Sequence, residues 1–160
     1  MSGALEAVTF VAALGSGLAG GVFFAFSAFV MRALSRLPAA QGVAAMQSIN
    51  RLAVTPAFMT ALFGTALACA ALAAWAGVTW GEGAAPWILA GSLLYLAGTI
   101  GVTIVVNVPL NNALATVRPD GAEAAGPWRS YRSRWTAWNH LRAAAGLGGA
   151  GLLTVALWLD

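Results

Sequence analysis

Four apolar runs, from about Leu5 to Met31, Pro56 to Gly77, Pro86 to Val108 and Trp135 to Leu159, constrain this chain more than any other feature. A hydrocarbon core takes roughly 20 helical residues to cross, and each run is long enough to do so. Lipid offers the backbone no hydrogen-bond partners, so spans of this length close their own bonds as helices. Charge agrees: 8% of the 160 residues are charged, against about 25% in ordinary globular chains. The expected fold is all-α, a single integral membrane domain over residues 1–160 built as an up-down four-helix bundle. The opening MSGALEAVTF lacks a basic stretch and a cleavage site, so the first run is expected to be retained as a span.

Small residues predict how the spans pack. Gly15 with Ala19, Gly17 with Gly21, Gly64 with Ala68, and the run GLGGAG from Gly146 have the spacing that lets helix backbones approach in lipid. These faces are expected to meet inside the bundle or between protomers of a homo-oligomer. Thr55 and Pro56 read as an N-cap and first-turn proline. Val43, Met46 and Asn50 recur at helical spacing and predict a short interfacial helix between spans one and two. Pro109 is expected to bend or stop the third span, because it lacks the N–H that the carbonyl of Val105 would accept. The stretch Ala113 to Arg134, with Pro119, Gly121, Gly126 and Pro127, reads as a loop. Cys69, the only cysteine, is expected to be a small core residue.

Every one of the eight basic residues is an arginine, and all lie in or beside the first and third connections; the opposite side holds Glu6, Glu82 and Asp160. By the positive-inside rule this predicts a multi-pass protein of the cell membrane with both termini outside. The net charge of +3 is spread along the chain, so the expected partner is the lipid bilayer and not nucleic acid.

The same topology gathers Ser27, Gln47, Asn50, Asn107, Asn111, Asn139, His140 and Arg142 at one end of the bundle. The segment WTAWNHLR adds Trp135 and Trp138, which an interfacial aromatic belt would also explain. The amides near Pro109 would equally serve to satisfy freed backbone carbonyls. One histidine with no nearby cysteine predicts no metal site and no cofactor. No buried acid completes a Ser-His-Asp triad, and no glycine-rich phosphate loop follows a strand. What remains is a pocket of amides, aromatics and one imidazole, suited to a flat lipophilic small molecule bearing carbonyl or phenol oxygens.

The segments GGVFFAFSAFVMRAL, AMQSINR, VNVPLNNAL and WTAWNHLR occur in an order and spacing similar to the anthrone oxygenase-like family of small four-span membrane proteins. The resemblance covers nearly the whole chain and carries Asn50, Asn107, Pro109, Asn111, Trp138, Asn139, His140 and Arg142. It implies that some members oxidise anthrones to anthraquinones. An anthrone has an acidic carbon whose carbanion or enolate reacts with dioxygen without a metal, so an enzyme need mainly remove a proton and hold the oxyanion. On that reading His140 is the expected base and Asn139, Asn111 or Arg142 the oxyanion partners. The tryptophans stack the rings, while Ser27, Gln47, Asn50 and Asn107 complete the binding pocket. The competing expectation is a non-catalytic membrane protein that binds a lipid, a quinone or a partner subunit through the same end.

Overall fold

The computed structural model describes residues 2–81 and 83–159; Glu82 and Asp160, two of the acids on the arginine-poor side, lie outside them. Five helices account for the described fold, with no strand among those residues: α1 Gly3–Leu34, α2 Ala39–Leu52, α3 Pro56–Val78, α4 Ala85–Ala115 and α5 Ala125–Trp158. All except α2 are long and apolar enough to cross a membrane. They form a ring in which α1 and α4 each pack against both α3 and α5, and α2 touches α4 and α5. The all-α four-span bundle is therefore as expected, and α2 is the short helix expected between the first two spans.

Local signals set the boundaries. Thr55 Oγ1 accepts from the Phe58 N–H at 3.2 Å, with Pro56 in the first turn of α3. Gln47 on α2 donates from Nε2 to the carbonyls of Leu114 (2.9 Å) and Val117 (2.8 Å) at the end of α4, where the Leu114 carbonyl also accepts from the Val117 N–H. Gln47 thus caps a helix. Gln47→Ala is expected to lower stability by about 1 to 2 kcal/mol, read as a lower melting temperature in mild detergent.

The bundle closes through the expected Gly15, which abuts the Thr65 side chain of α3, and through the expected GLGGAG run of α5, but on α1 the closest partner of that run is Gly20 and not Gly17 or Gly21. Gly20 approaches Gly146 so closely that a Cβ on Gly146 would lie 2.8 Å from the Gly20 Cα. A Cβ on Gly91 would lie 3.0 Å from the Gly149 carbonyl oxygen, joining α4 to α5 in the same way. Ser16 reinforces the Gly20 contact by donating to the Gly146 carbonyl at 2.9 Å. A Cβ on Gly17 would meet only Ala150, at 3.6 Å, and Gly21 and Gly64 have open space beside them. The reason is register: α1 turns Ala12, Ser16, Ala19, Gly20 and Phe23 inward, which places Gly17 and Gly21 to one side. Cys69 is fully buried, as expected of a core residue.

Two expectations for the polar end are corrected. The expected loop from Ala113 to Arg134 is helical from Ala125 onward, so Arg129, Arg132 and Arg134 sit on α5. Pro127 falls in its first turn, where a missing N–H costs nothing. Trp128, Tyr131 and Trp135, spaced i, i+3, i+7, then form an apolar stripe that packs against Met31, Leu34, Val43, Met46 and Leu114. At 34 residues α5 is about 50 Å long, so its arginine-bearing first turns extend past a hydrocarbon core of about 30 Å. Nor does Pro109 stop α4. The segment Thr103–Asn107 winds as a π-helix and the Val108 N–H bonds the Thr103 carbonyl, so Pro109 enters in the first turn of the α-helical segment Val108–Ala115.

Candidate functional site

Arg142 lies near the middle of α5, 4% exposed. Its Nη2 donates to Asn139 Oδ1 at 2.6 Å and its Nη1 to Thr103 Oγ1 at 3.2 Å. The guanidinium carbon sits 4.1 Å from the centre of the Phe23 ring and 5.1 Å from that of Trp135. No carboxylate pairs with it: among the described residues the one ion pair is Arg118 with Asp120, both on the surface. Its Nε has no partner.

Asn139 and Asn111 have opposite tasks. Asn139, fully buried, spends both ends of its amide on the protein: Nδ2 donates to the Phe23 carbonyl (2.7 Å) and Ser27 Oγ (2.6 Å), while Oδ1 holds Arg142. It is a positioning residue that ties α1 to the guanidinium. Asn111 Oδ1 accepts from Tyr131 Oη and Trp135 Nε1, each at 2.9 Å. An indole N–H can only donate, so the atom it meets must be the amide oxygen, and Nδ2 keeps its two donors for other partners.

Asn111 lines a cavity of about 530 Å³ between α1, α2, α3, α4 and α5. Its walls are mostly apolar, with Phe23, Phe26, Phe58 and Leu62 among them, and Asn50, Thr103, Asn111, Trp135 and Arg142 bring polar atoms to one side. The Asn50 Nδ2 is buried and unpartnered. Leu52, Val54, Phe63 and Val108 also line it and are 72, 69, 47 and 42% exposed, which gives the cavity an exposed apolar rim.

Of the residues singled out in the sequence, Asn50, Asn111, Trp135 and Arg142 meet in this cavity. Ser27 and Asn139 stand behind it. Asn107 is 1% exposed and braces α4 to α5 through Nδ2 to the Trp135 carbonyl at 3.3 Å. Trp138 is 41% exposed on another face. His140, one residue and about 100° beyond Asn139 on the helix, is exposed and lines a separate groove with Ser27, Arg32, Arg132 and Thr136. The expected imidazole base is therefore not among the cavity's lining residues. Thr103, Tyr131 and Phe23 were not foreseen as site residues. Thr99 and Thr103, one turn apart in an apolar span, carried a signal for the first of them: Thr103 bonds the Thr99 carbonyl at 2.6 Å and Thr99 bonds that of Arg142 at 3.2 Å.

A family model described as anthrone oxygenase matches residues 52–152, well over half of the chain. The chain belongs to the anthrone oxygenase family. No curated protein and no solved structure matches it. The family match runs from the end of α2 into α5, and so includes Asn111, Trp135, Asn139 and Arg142, while Phe23, Ser27 and Asn50 lie before it. In this anthrone oxygenase family member, the donor-bearing side chains of Asn50, Asn111 and Arg142 all line the cavity, and no acid lines it. Such a set complements carbonyl and oxyanion oxygens on an otherwise apolar ligand. Among the described residues, no group of three or more histidine, cysteine or acidic side chains could hold a metal ion.

Proposed function

We propose that the protein is a membrane oxygenase that converts an anthrone-like polycyclic aromatic to the corresponding quinone, with the cavity beside Arg142 as its active site. The observation that carries this is a buried guanidinium with no carboxylate partner, lining an apolar cavity beside amide donors. A cation held in that setting binds an enolate oxygen better than the neutral ketone oxygen, so it draws the bound substrate toward its ionised form. Proton removal then needs no side-chain base in the cavity: the proton passes to water as Arg142 and Asn111 stabilise the oxyanion.

The rest follows from the substrate's chemistry. The enolate gives electrons to dioxygen and a carbon–oxygen bond forms at the ionised carbon. The resulting peroxide takes up a proton. Loss of the remaining hydrogen on that carbon as a proton, with cleavage of the O–O bond, leaves a carbonyl and releases water. One anthrone and one dioxygen give one quinone and one water. Phe23, Phe26 and Trp135 supply the aromatic walls for the ring system, and the apolar rim admits it from the bilayer.

The test is quinone formation and oxygen uptake with a hydroxylated anthrone and protein in mild detergent, corrected for spontaneous oxidation. Asn111→Leu is expected to slow turnover by about a hundredfold, as for a lost oxyanion donor. His140→Ala is expected to retain full turnover per folded molecule, and a chelator to leave the rate unchanged. A hundredfold loss in His140→Ala, the size expected for a missing general base, would return proton removal to the imidazole. Loss of activity on chelation would replace this route with a metal-dependent one.

A further inference from the structure

The groove that holds His140 is separate from the cavity and differs from it in character. It measures about 530 Å³ and runs between the end of α1 and the start of α5. On α5, Arg132, Thr136 and His140 follow one another at i, i+4 and i+8, so they form one ridge along the helix. Ala137 beside them leaves the floor shallow. From α1 come Ser27 and Arg32, with Ser35 just past the helix end. Thus two guanidinium groups, an imidazole and several hydroxyls face one trough.

Two features mark it as more than a solvated basic surface. Thr136 Oγ1 is buried within the groove wall and has no hydrogen-bond partner. No carboxylate lines the groove, and neither Arg32 nor Arg132 forms an ion pair among the described residues. Arg132 is held in place by a long bond from Nη1 to the Ser35 carbonyl at 3.4 Å, which ties the two helices at the groove and leaves its other donors unassigned. The level is also right. Arg32 closes α1 and Arg132 lies in the part of α5 that extends past the apolar span, where phospholipid headgroups sit.

We propose that this groove binds a phosphate group, supplied by the headgroup of an anionic phospholipid, with Arg32 and Arg132 as its charged partners and Thr136 as a hydroxyl donor. Guanidinium groups suit phosphate oxygens because they offer paired N–H donors in a plane. The acyl chains would lie along the exposed apolar surface of α1, where Phe24 and Phe29 face outward.

The experiment is native mass spectrometry of the full chain in detergent, titrated with phosphatidylglycerol, phosphatidylcholine or inorganic phosphate. Wild-type protein is expected to retain phosphatidylglycerol about tenfold more tightly than phosphatidylcholine, and Arg32→Gln with Arg132→Gln to erase that preference. Thr136→Val should weaken it several-fold without changing charge. Arg36→Gln, which removes an exposed arginine outside the groove, should leave it intact. Retention of phosphatidylglycerol that inorganic phosphate cannot displace supports the lipid as source; displacement by millimolar inorganic phosphate supports the same site with a soluble phosphate as ligand. Equal retention of both lipids by wild type overturns the proposal, as does an equal loss in Arg36→Gln and the groove variants. A thermal melt of each variant confirms folding. Activity on anthrones is not the readout, so this test can fail while the proposed reaction stands.

Discussion

Gly146→Val should leave little folded protein. The atoms that a Cβ there would meet are backbone: Gly20 Cα at 2.8 Å, Gly20 N at 3.0 Å and the Ser16 carbonyl oxygen at 3.2 Å. None of them can rotate away, so α1 and α5 would have to separate, and the bond from Ser16 Oγ to the Gly146 carbonyl would go with them. A loss of about 3 kcal/mol or more is expected, at the upper end of overpacking effects. Gly21→Val and Gly64→Val, with open space around the glycine, should stay within about 0.5 kcal/mol of wild type. Fluorescence-detected gel filtration after heating separates the two outcomes. Similar melting temperatures for Gly146→Val and Gly64→Val would mean that helix approach does not hold the bundle.

Arg142→Met should have the largest effect on turnover, a fall of about a thousandfold, with a much smaller effect on folding. A buried charge without a carboxylate partner carries a desolvation cost that methionine does not. Against this, Asn139 Oδ1 loses its donor, a penalty of about 1 to 3 kcal/mol. The two contributions oppose each other, so the melting temperature should move little. Arg142→Lys keeps the charge but cannot reach Asn139 and Thr103 together as a planar fork does, and should recover only part of the rate. A large drop in stability with unchanged activity per folded molecule would make Arg142 a structural strut.

How much of this was legible in the sequence depended on whether the signal was local. The spans were, because apolar length dictates helices in lipid. The Thr55 cap was, because its side chain bonds the backbone three residues on. The gathering of polar residues at one end followed from topology, yet which of them share a cavity did not. That is decided by rotation about each helix axis: Asn139 and His140 are adjacent in sequence and face a buried network and an open groove respectively. The same reason hid the Ser16 and Gly20 face behind the more conspicuous Gly17 and Gly21. Tyr131 and Trp128 were hidden by composition, since Gly126 and Pro127 next to arginines look like a loop until Pro127 is seen to occupy the first turn of a helix.

The most direct measurement is the absorption spectrum of a hydroxylated anthrone bound to the protein under argon. The enolate is conjugated across all three rings and absorbs at longer wavelength than the ketone, so the spectrum reports whether the bound substrate is ionised. At neutral pH, wild type is expected to generate the long-wavelength band at one equivalent of ligand, to lose it when oxygen is admitted as quinone forms, and to do so unchanged in His140→Ala. Arg142→Met is expected to bind the ligand without the band. No band in wild type, or the same band in Arg142→Met, would contradict the claim that the buried guanidinium ionises the substrate.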